Sequence, residues 1–386
     1  ALRVILPLSF CLSVAFALPM YIESSFLATM VSATMVSWYF VIAMAAGLIA
    51  MNLYPWFITR FTNYRTALVT MTVCAASLLG LSLVTNRWWA LVWFVFLTIS
   101  QYLLIINLDL FIERFTATAM TGRIRTTYYT VVSLGVIVSP LVVGQLIGWS
   151  GGYSLVFLVA ALWVIPVMVL LMLSRRQLQD HIHYRHHHLL TTLRHVVQRA
   201  DIRRIFGVSL LLELFYAMAV IYMPIYLTTV VGFSWQDIGV AFTIMIVPFV
   251  VLELPAGIVA DRYFGERGMM IIGFLILSST VLVWSLINSS SLLVWVILLF
   301  LSRCGAALVE AMRETYFFKI VNVADVDYIN FFRNTKPLAW LSAAAIAGVV
   351  LRWFDLSTLF FGLGLILIFG VWFASGLRDT SPIERG

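Results

Sequence analysis

Arg175 to Arg204 reads RRQLQDHIHYRHHHLLTTLRHVVQRADIRR, with seven arginines and all six histidines of the protein. The sequence on either side is so apolar that it belongs to another solvent. The stretch therefore reads as a water-exposed strap between two groups of membrane-spanning helices. Within it, Leu189, Leu193, Val196, Val197 and Ala200 recur at helical spacing, the pattern of an amphipathic helix lying on a membrane surface. His181, His183, His186, His187 and His188 have the donor type for a metal ion. Ligation also needs fixed geometry and supporting partners, so the cluster is read as a solvated basic linker, with no metal site and no cofactor expected.

Of the 386 residues, 62% are hydrophobic and only 11% charged. Soluble domains carry about a quarter charged residues, and a spanning helix needs about 20 mostly apolar ones. Such runs repeat here end to end. They are far longer than the roughly ten alternating residues of a barrel strand, so an all-α polytopic membrane protein is expected. The formal charge of +7 does not indicate nucleic acid, because the arginines fall in short gaps and form no continuous patch. Cys11, Cys74 and Cys304 all lie in apolar runs and read as packing residues.

Twelve spans are expected, at about 3–28, 34–58, 66–85, 88–113, 125–148 and 153–174, then about 205–231, 236–260, 268–288, 291–317, 329–351 and 356–377. The domains are then 1–174, the strap 175–204, and 205–386. Orientation follows from the basic residues, which concentrate on the cytoplasmic side. With the N-terminus cytoplasmic, only Arg87 and Arg352 of the 24 basic residues fall in outer loops, and Arg303 and Arg313 fall within a span. Both termini are expected in the cytoplasm, in a cytoplasmic-membrane protein acting as a monomer. Trp38, Trp88, Trp89, Trp149, Tyr153, Trp235 and Trp353 mark the outer interface, where amphipathic rings are favoured.

After the eighth span comes Gly257-Ile258-Val259-Ala260-Asp261-Arg262-Tyr263-Phe264-Gly265-Glu266-Arg267. This resembles the cytoplasmic loop signature of the major facilitator superfamily. Gly257 is expected to allow close helix approach, Asp261 to offer a carboxylate to a helix N-terminus or an arginine, and Gly265 to permit a tight turn. The matching loop of the first half, Pro55 to Arg65, lacks the signature aspartate. In the fifth span, Gly135, Ser139, Pro140 and Gly144 resemble a worn form of the family's antiporter motif, and read equally well as a packing motif. The resemblance implies two pseudo-symmetric six-helix bundles around a central cavity, working by alternating access.

Charge within the spans is uneven. Glu23 lies in span one, Asp109 and Glu113 in span four, Glu213 in span seven, and Arg303, Glu310 and Arg313 in span ten, with Glu253 near the cytoplasmic end of span eight. Those four spans line the cavity in the family that the chain resembles. Intramembrane charges need a partner or water. Arg303, Glu213, Glu23, Asp109, Glu310, Asn107 and Tyr216 are accordingly expected at a substrate and coupling cavity, with Arg303 and Glu213 facing each other across its centre or through substrate, and with Glu213 or Glu310 as the structural partner of Arg303 otherwise. Glu113, Arg114, Arg313 and Glu314, toward the cytoplasm, are expected to join Gly257, Asp261, Arg262, Gly265 and Arg267 in a salt-bridged gate.

No Gly-rich phosphate loop followed by Lys and Ser or Thr is present, so the chain itself has no ATP site of that kind. The leading expectation is a secondary transporter of a small, possibly anionic solute, coupled to protons and leaning toward export. A second class is a non-transporting receptor or assembly factor on the same fold, which fold alone does not exclude. Flux under an imposed gradient separates them. An enzyme is not expected, because no acidic cluster with ligand spacing accompanies the strap histidines.

Overall fold

The structure, a computed structural model, describes residues 2–115, 121–175, 199–321 and 326–378. Residues 176–198, with the histidine cluster and amphipathic pattern of the strap, lie outside the described residues. Among the described residues the backbone is helical throughout its long elements, as a chain in lipid requires. The first helices are α1 (Leu2–Met20), α2 (Glu23–Ala28), α3 (Ala33–Phe61), α4 (Asn63–Leu83), α5 (Arg87–Phe115), α6 (Thr121–Ser150) and α7 (Ser154–Leu173). Beyond the strap come α8 (Ala200–Tyr226), α9 (Trp235–Val251), α10 (Glu253–Val259), α11 (Gly265–Leu286), α12 (Leu292–Ile320), α13 (Val326–Val350) and α14 (Leu356–Ser375). Two π-helical segments, Leu227–Val231 and Ala260–Phe264, extend α8 and α10. With α1 and α2 joined, and α9 joined to α10, these elements make twelve membrane passages.

The chain divides into two compact units. One comprises Ala1–His186 with Ser234–Thr243, the other His187–Phe233 with Ile244–Gly386. In the first unit, α4 packs on α5 and α7, and α1 packs on α5, α6 and α7. In the second, α11 packs on α12 and α14, and α8 packs on α12, α13 and α14. Passages one, three, four, five, six thus repeat as seven, nine, ten, eleven, twelve. Passage eight departs from this repeat, since its first part, Ser234–Thr243, groups with the first unit.

The first passage of each unit is irregular at corresponding places. Pro19 precedes the break between α1 and α2, and Pro224 precedes the Leu227–Val231 π segment. Proline removes a backbone donor and frees a carbonyl. In the second unit, hydroxyls take up the loosened backbone: Thr228 Oγ1 donates to Pro224 O at 2.9 Å and Thr229 Oγ1 to Ile225 O at 2.7 Å.

Lipid offers no hydrophobic drive for helix association, so close backbone approach must supply it. Between α11 and α12 two glycines face each other. A Cβ on Gly273 would lie 2.8 Å from Gly305 O, and one on Gly305 would lie 2.6 Å from Gly273 O. Between the corresponding helices α4 and α5 the solution differs: Trp93 lays its ring on Gly80.

The connections from the second to the third passage and from the eighth to the ninth each turn on one residue. These are Thr62 (φ 69°, ψ 149°) and Gly265 (φ 67°, ψ 167°). This is a region essentially reserved for glycine. The close approach expected at Gly257 is not found: a Cβ there would meet nothing within 4 Å among the described residues. Tight contacts in this unit lie instead at glycines such as Gly273, Gly305, Gly364 and Gly370. The side chains of Asp261 and Arg262 lie outside the described part of the structure, as do those of Asp109, Glu113 and Arg114.

Candidate functional site

The second unit holds a charge cluster built by three helices, buried at its centre. Ser209, Glu213 and Tyr216 are spaced four and three residues apart, which places them on one face of α8. Arg303, Glu310, Arg313 and Glu314 come from α12, and Phe332 and Thr335 from α13. Arg313 is 5% exposed and Glu213 6%. Arg313 Nη1 donates to Glu213 Oε1 at 3.3 Å and to Ser209 Oγ at 3.1 Å. Its Nη2 donates to Glu314 Oε1 at 3.2 Å and lies 3.9 Å from Glu310 Oε1. The guanidinium also stands 5.5 Å from the centroid of the Phe332 ring. Ser209 and Thr335 hydrogen-bond each other at 2.9 Å. One cation therefore ties α8, α12 and α13 together and serves three carboxylates.

Glu213 Oε2 and Arg313 Nε are buried with no hydrogen-bond partner among the described residues. Burying two charges costs several kcal/mol each, and mutual attraction offsets this only with good geometry and full hydrogen bonding. A cluster with one cation, three anions and two unused polar atoms is a poor stabilising device.

Arg303 stands apart. It is 4% exposed, and its guanidinium carbon lies 5.0 Å from the Phe215 ring centroid and 5.4 Å from that of Tyr216. No ion pair to Arg303 is present among the described residues. The hydroxyl of Tyr216 donates to Glu310 Oε2 at 2.6 Å.

The expected pairing of Arg303 with Glu213 is thus corrected: Glu213 pairs with Arg313. The reason is the register of antiparallel neighbours. Going up α8 from Ser209 through Glu213 to Tyr216, the partners on α12 run down from Arg313 through Glu310 to Arg303. Arg313 was also expected at a gate between the halves. Its partners Glu213, Glu310, Glu314 and Ser209 all belong to its own unit. Ser209, Phe215, Phe332 and Thr335 escaped the sequence reading. Only Ser209 carried a signal, as a polar residue one turn from Glu213.

In the first unit, Glu23 opens α2, just after the break in the first passage. Gln101 Nε2 donates to its Oε1 at 3.5 Å, and no ion pair to Glu23 is present among the described residues. Asn107 is 1% exposed. Tyr54 donates to its Oδ1 at 2.6 Å, Thr66 Oγ1 to the same atom at 3.4 Å, and Asn63 Nδ2 to its backbone oxygen at 3.2 Å. Asn107 thereby pins α3, α4 and α5 together. The small residues of α6 are also in use. A Cβ on Gly144 would lie 2.6 Å from Trp235 O, and one on Gly239 would lie 2.6 Å from Pro140 O. Ser139 Oγ donates to Gly135 O at 2.8 Å. Gly135 itself faces Ser13 and Val14 of α1.

Helices in this arrangement, with charge gathered on the passages that open each triplet, define a class of membrane transporter. The sequence model of the Major Facilitator Superfamily matches residues 5–247 and 205–386, and the chain belongs to that family. No curated protein matches it. Among solved structures, the POT family transporter PepTSo superposes with a TM-score of 0.78 at 12% identity, over 97% of this chain and 96% of that one. A peptide transporter POT in complex with sulfate gives a TM-score of 0.73 at 12% identity, over 97% of this chain and 93% of that one. A bacterial homolog of the human lysosomal transporter Spinster, inward-facing and unoccupied, gives 0.71 at 12%, over 97% and 94%. At that identity the likeness is one of fold alone.

Proposed function

We propose that this protein is a secondary transporter that moves a small solute bearing an anionic group across the cytoplasmic membrane by alternating access, coupled to protons. The observation that carries the reading is the buried Arg313–Glu213 pair, with the half-buried Glu310 and Glu314 set around the same guanidinium. Three carboxylates around one guanidinium, at membrane depth, are costly unless a proton or a ligand moves among them. Arg303 adds a second buried cation, whose surroundings are aromatic rings. Ring faces contribute about 0.5–2 kcal/mol to a cation, well short of what a desolvated guanidinium loses. An anionic group on the solute is the natural complement. Asp261 and its neighbours in the signature loop are read as a latch that biases the equilibrium between end states. The protein acts as a monomer, with the strap and both termini on the cytoplasmic side.

The test is flux. Purified protein in liposomes with an imposed pH gradient should move at least one small organic anion against its concentration, and the movement should collapse with a protonophore. Glu310→Gln should retain solute binding while uncoupling accumulation from the gradient. Absence of gradient-driven flux for every solute that stabilises the purified protein would overturn the transporter reading in favour of a receptor.

A further inference from the structure

We propose that Tyr216 is the positioning residue through which an anion taken up at Arg303 drives proton uptake at Glu310. The proposal rests on the transporter reading above and names the link inside that site.

Tyr216 is held from two sides. Its ring lies against the Arg303 guanidinium at 5.4 Å, and its hydroxyl donates to Glu310 Oε2 at 2.6 Å. Glu310 has little else. Its other oxygen lies 3.9 Å from Arg313 Nη2, whereas Glu213 and Glu314 approach the same guanidinium to 3.3 Å and 3.2 Å. Of the three carboxylates, Glu310 is the one whose ionised form depends on a tyrosine hydroxyl rather than on the arginine. A hydrogen bond to a charged group contributes about 1.5–3 kcal/mol, so losing that donor is felt.

The charged and titratable groups around Glu310 are few. From α8 they are Glu213 and Tyr216, and from α12 Arg303, Arg313 and Glu314. Helix α11 meets the middle of α12 through Gly273 and Leu277, which carry no charge. Its Glu266 pairs with Lys319 at the cytoplasmic end. Helix α13 brings Phe332 and Thr335. Glu253 of α10 has a side chain outside the described part of the structure.

An anion that engages Arg303 draws the guanidinium off the tyrosine ring. Tyr216 is then released to turn with it, and Glu310 loses its closest donor. A proton from solvent adds to a Glu310 carboxylate oxygen and takes that group from one negative charge to none. The anion's own charge is met by Arg303. One O–H bond forms, and no covalent bond of the solute changes. Anion and proton therefore enter together, with a coupling that is reciprocal.

The test uses the purified full chain in detergent, with sodium sulfate and sodium succinate as probes, read by thermal stabilisation between about pH 5.5 and about pH 7.5. A pH dye in weak buffer reports proton uptake. Wild type should bind at least one probe, with affinity rising by up to about tenfold per unit fall in pH, and should take up protons on binding. Tyr216→Phe keeps the ring beneath Arg303 but loses the hydroxyl. It should bind with an affinity flat in pH and without proton uptake, and Glu310→Gln should do the same. Arg303→Gln should lose binding, while Arg303→Lys keeps part of it. The proposal is overturned if neither probe binds wild type, if Arg303→Gln binds as wild type does, or if Tyr216→Phe keeps the wild-type pH slope. Pronounced pH-linked anion binding without flux in liposomes would sink the transporter reading and leave this link standing. Gradient-driven flux of neutral solutes alone would do the reverse.

Discussion

Thr62 adopts φ 69° and ψ 149° in the one-residue turn between α3 and α4. Gly265 takes nearly the same angles between the eighth and ninth passages at no steric cost. Thr62 carries a Cβ in that region, a conformation costing about 1–3 kcal/mol. Its side chain offsets part of this, because Thr62 Oγ1 accepts from Arg65 N at 3.4 Å as the cap of α4. Replacing a capping threonine by glycine costs only a few tenths of a kcal/mol. Relief of backbone strain outweighs that loss, so Thr62→Gly should raise stability by about 1 kcal/mol. A thermal melt of the purified variant checks this. A lowered midpoint would mean that the hydroxyl contributes more than the backbone strain removes.

At the level of whole helices, close approach and capping set where α12 and α14 sit. A methyl on Gly305 would meet Gly273 O at 2.6 Å and Leu277 N at 2.8 Å, both backbone atoms that cannot swing aside. Gly305→Ala should therefore cost about 1–3 kcal/mol and shift the helix carrying Arg303, Glu310 and Arg313. Gly362→Ala on α14 is the control, since a Cβ there meets nothing within 4 Å among the described residues. It should be neutral or slightly stabilising. Comparison of the two melts, with anion binding alongside, separates a packing effect from a general effect of alanine.

Asp355 caps α14, accepting from Thr358 Oγ1 at 2.7 Å and Thr358 N at 2.8 Å. The hydroxyl and amide of Thr358 hold its carboxyl below the usual range. A depressed folded value means that the contribution is complete above the unfolded value of about 3.9 and is lost as pH falls through the folded one. Asp355→Ala should cost about 1 kcal/mol at neutral pH, with the gap to wild type closing in acid. Equal gaps at neutral and acid pH would show that the charge has no part in the cap.

For the molecule as a whole, the checkable expectation is its orientation in the membrane. In a background lacking Cys11, Cys74 and Cys304, single cysteines at Gln179 and Thr380 should resist an impermeant thiol reagent added outside intact cells. One at Ser290, in the connection between α11 and α12, should react. The opposite pattern would invert the protein and place the Arg313 cluster nearer the outer face. Orientation also decides which side supplies the proton to Glu310, so the same labelling sets the sign of the gradient used in flux experiments.

Hydropathy along the chain was enough for the helices, because a bilayer leaves the backbone no alternative. The span expected at about 291–317 is α12 (Leu292–Ile320), and that at about 356–377 is α14 (Leu356–Ser375). The concentration of charge on the first, fourth, seventh and tenth passages was legible for the same reason, since each such residue is an exception to an apolar rule. Partnership was not legible. Whether Glu213 meets Arg303 or Arg313, which lie about 15 Å apart along α12, depends on the register of two antiparallel helices. That register is set where Gly273 and Gly305 bring α11 against α12 and where Ser209 meets Thr335 between α8 and α13. Those contacts join residues far apart in sequence, and no local pattern announces them. The glycine-like turn at Thr62 was hidden likewise, because the residue there has ordinary chemistry and only the packed chain imposes its backbone angle. The sequence by itself determined which helices form and which of them carry charge. The tertiary structure decided which charges meet, because a hydrogen-bonded ion pair needs its N and O atoms within about 4 Å and only packing sets distances on that scale.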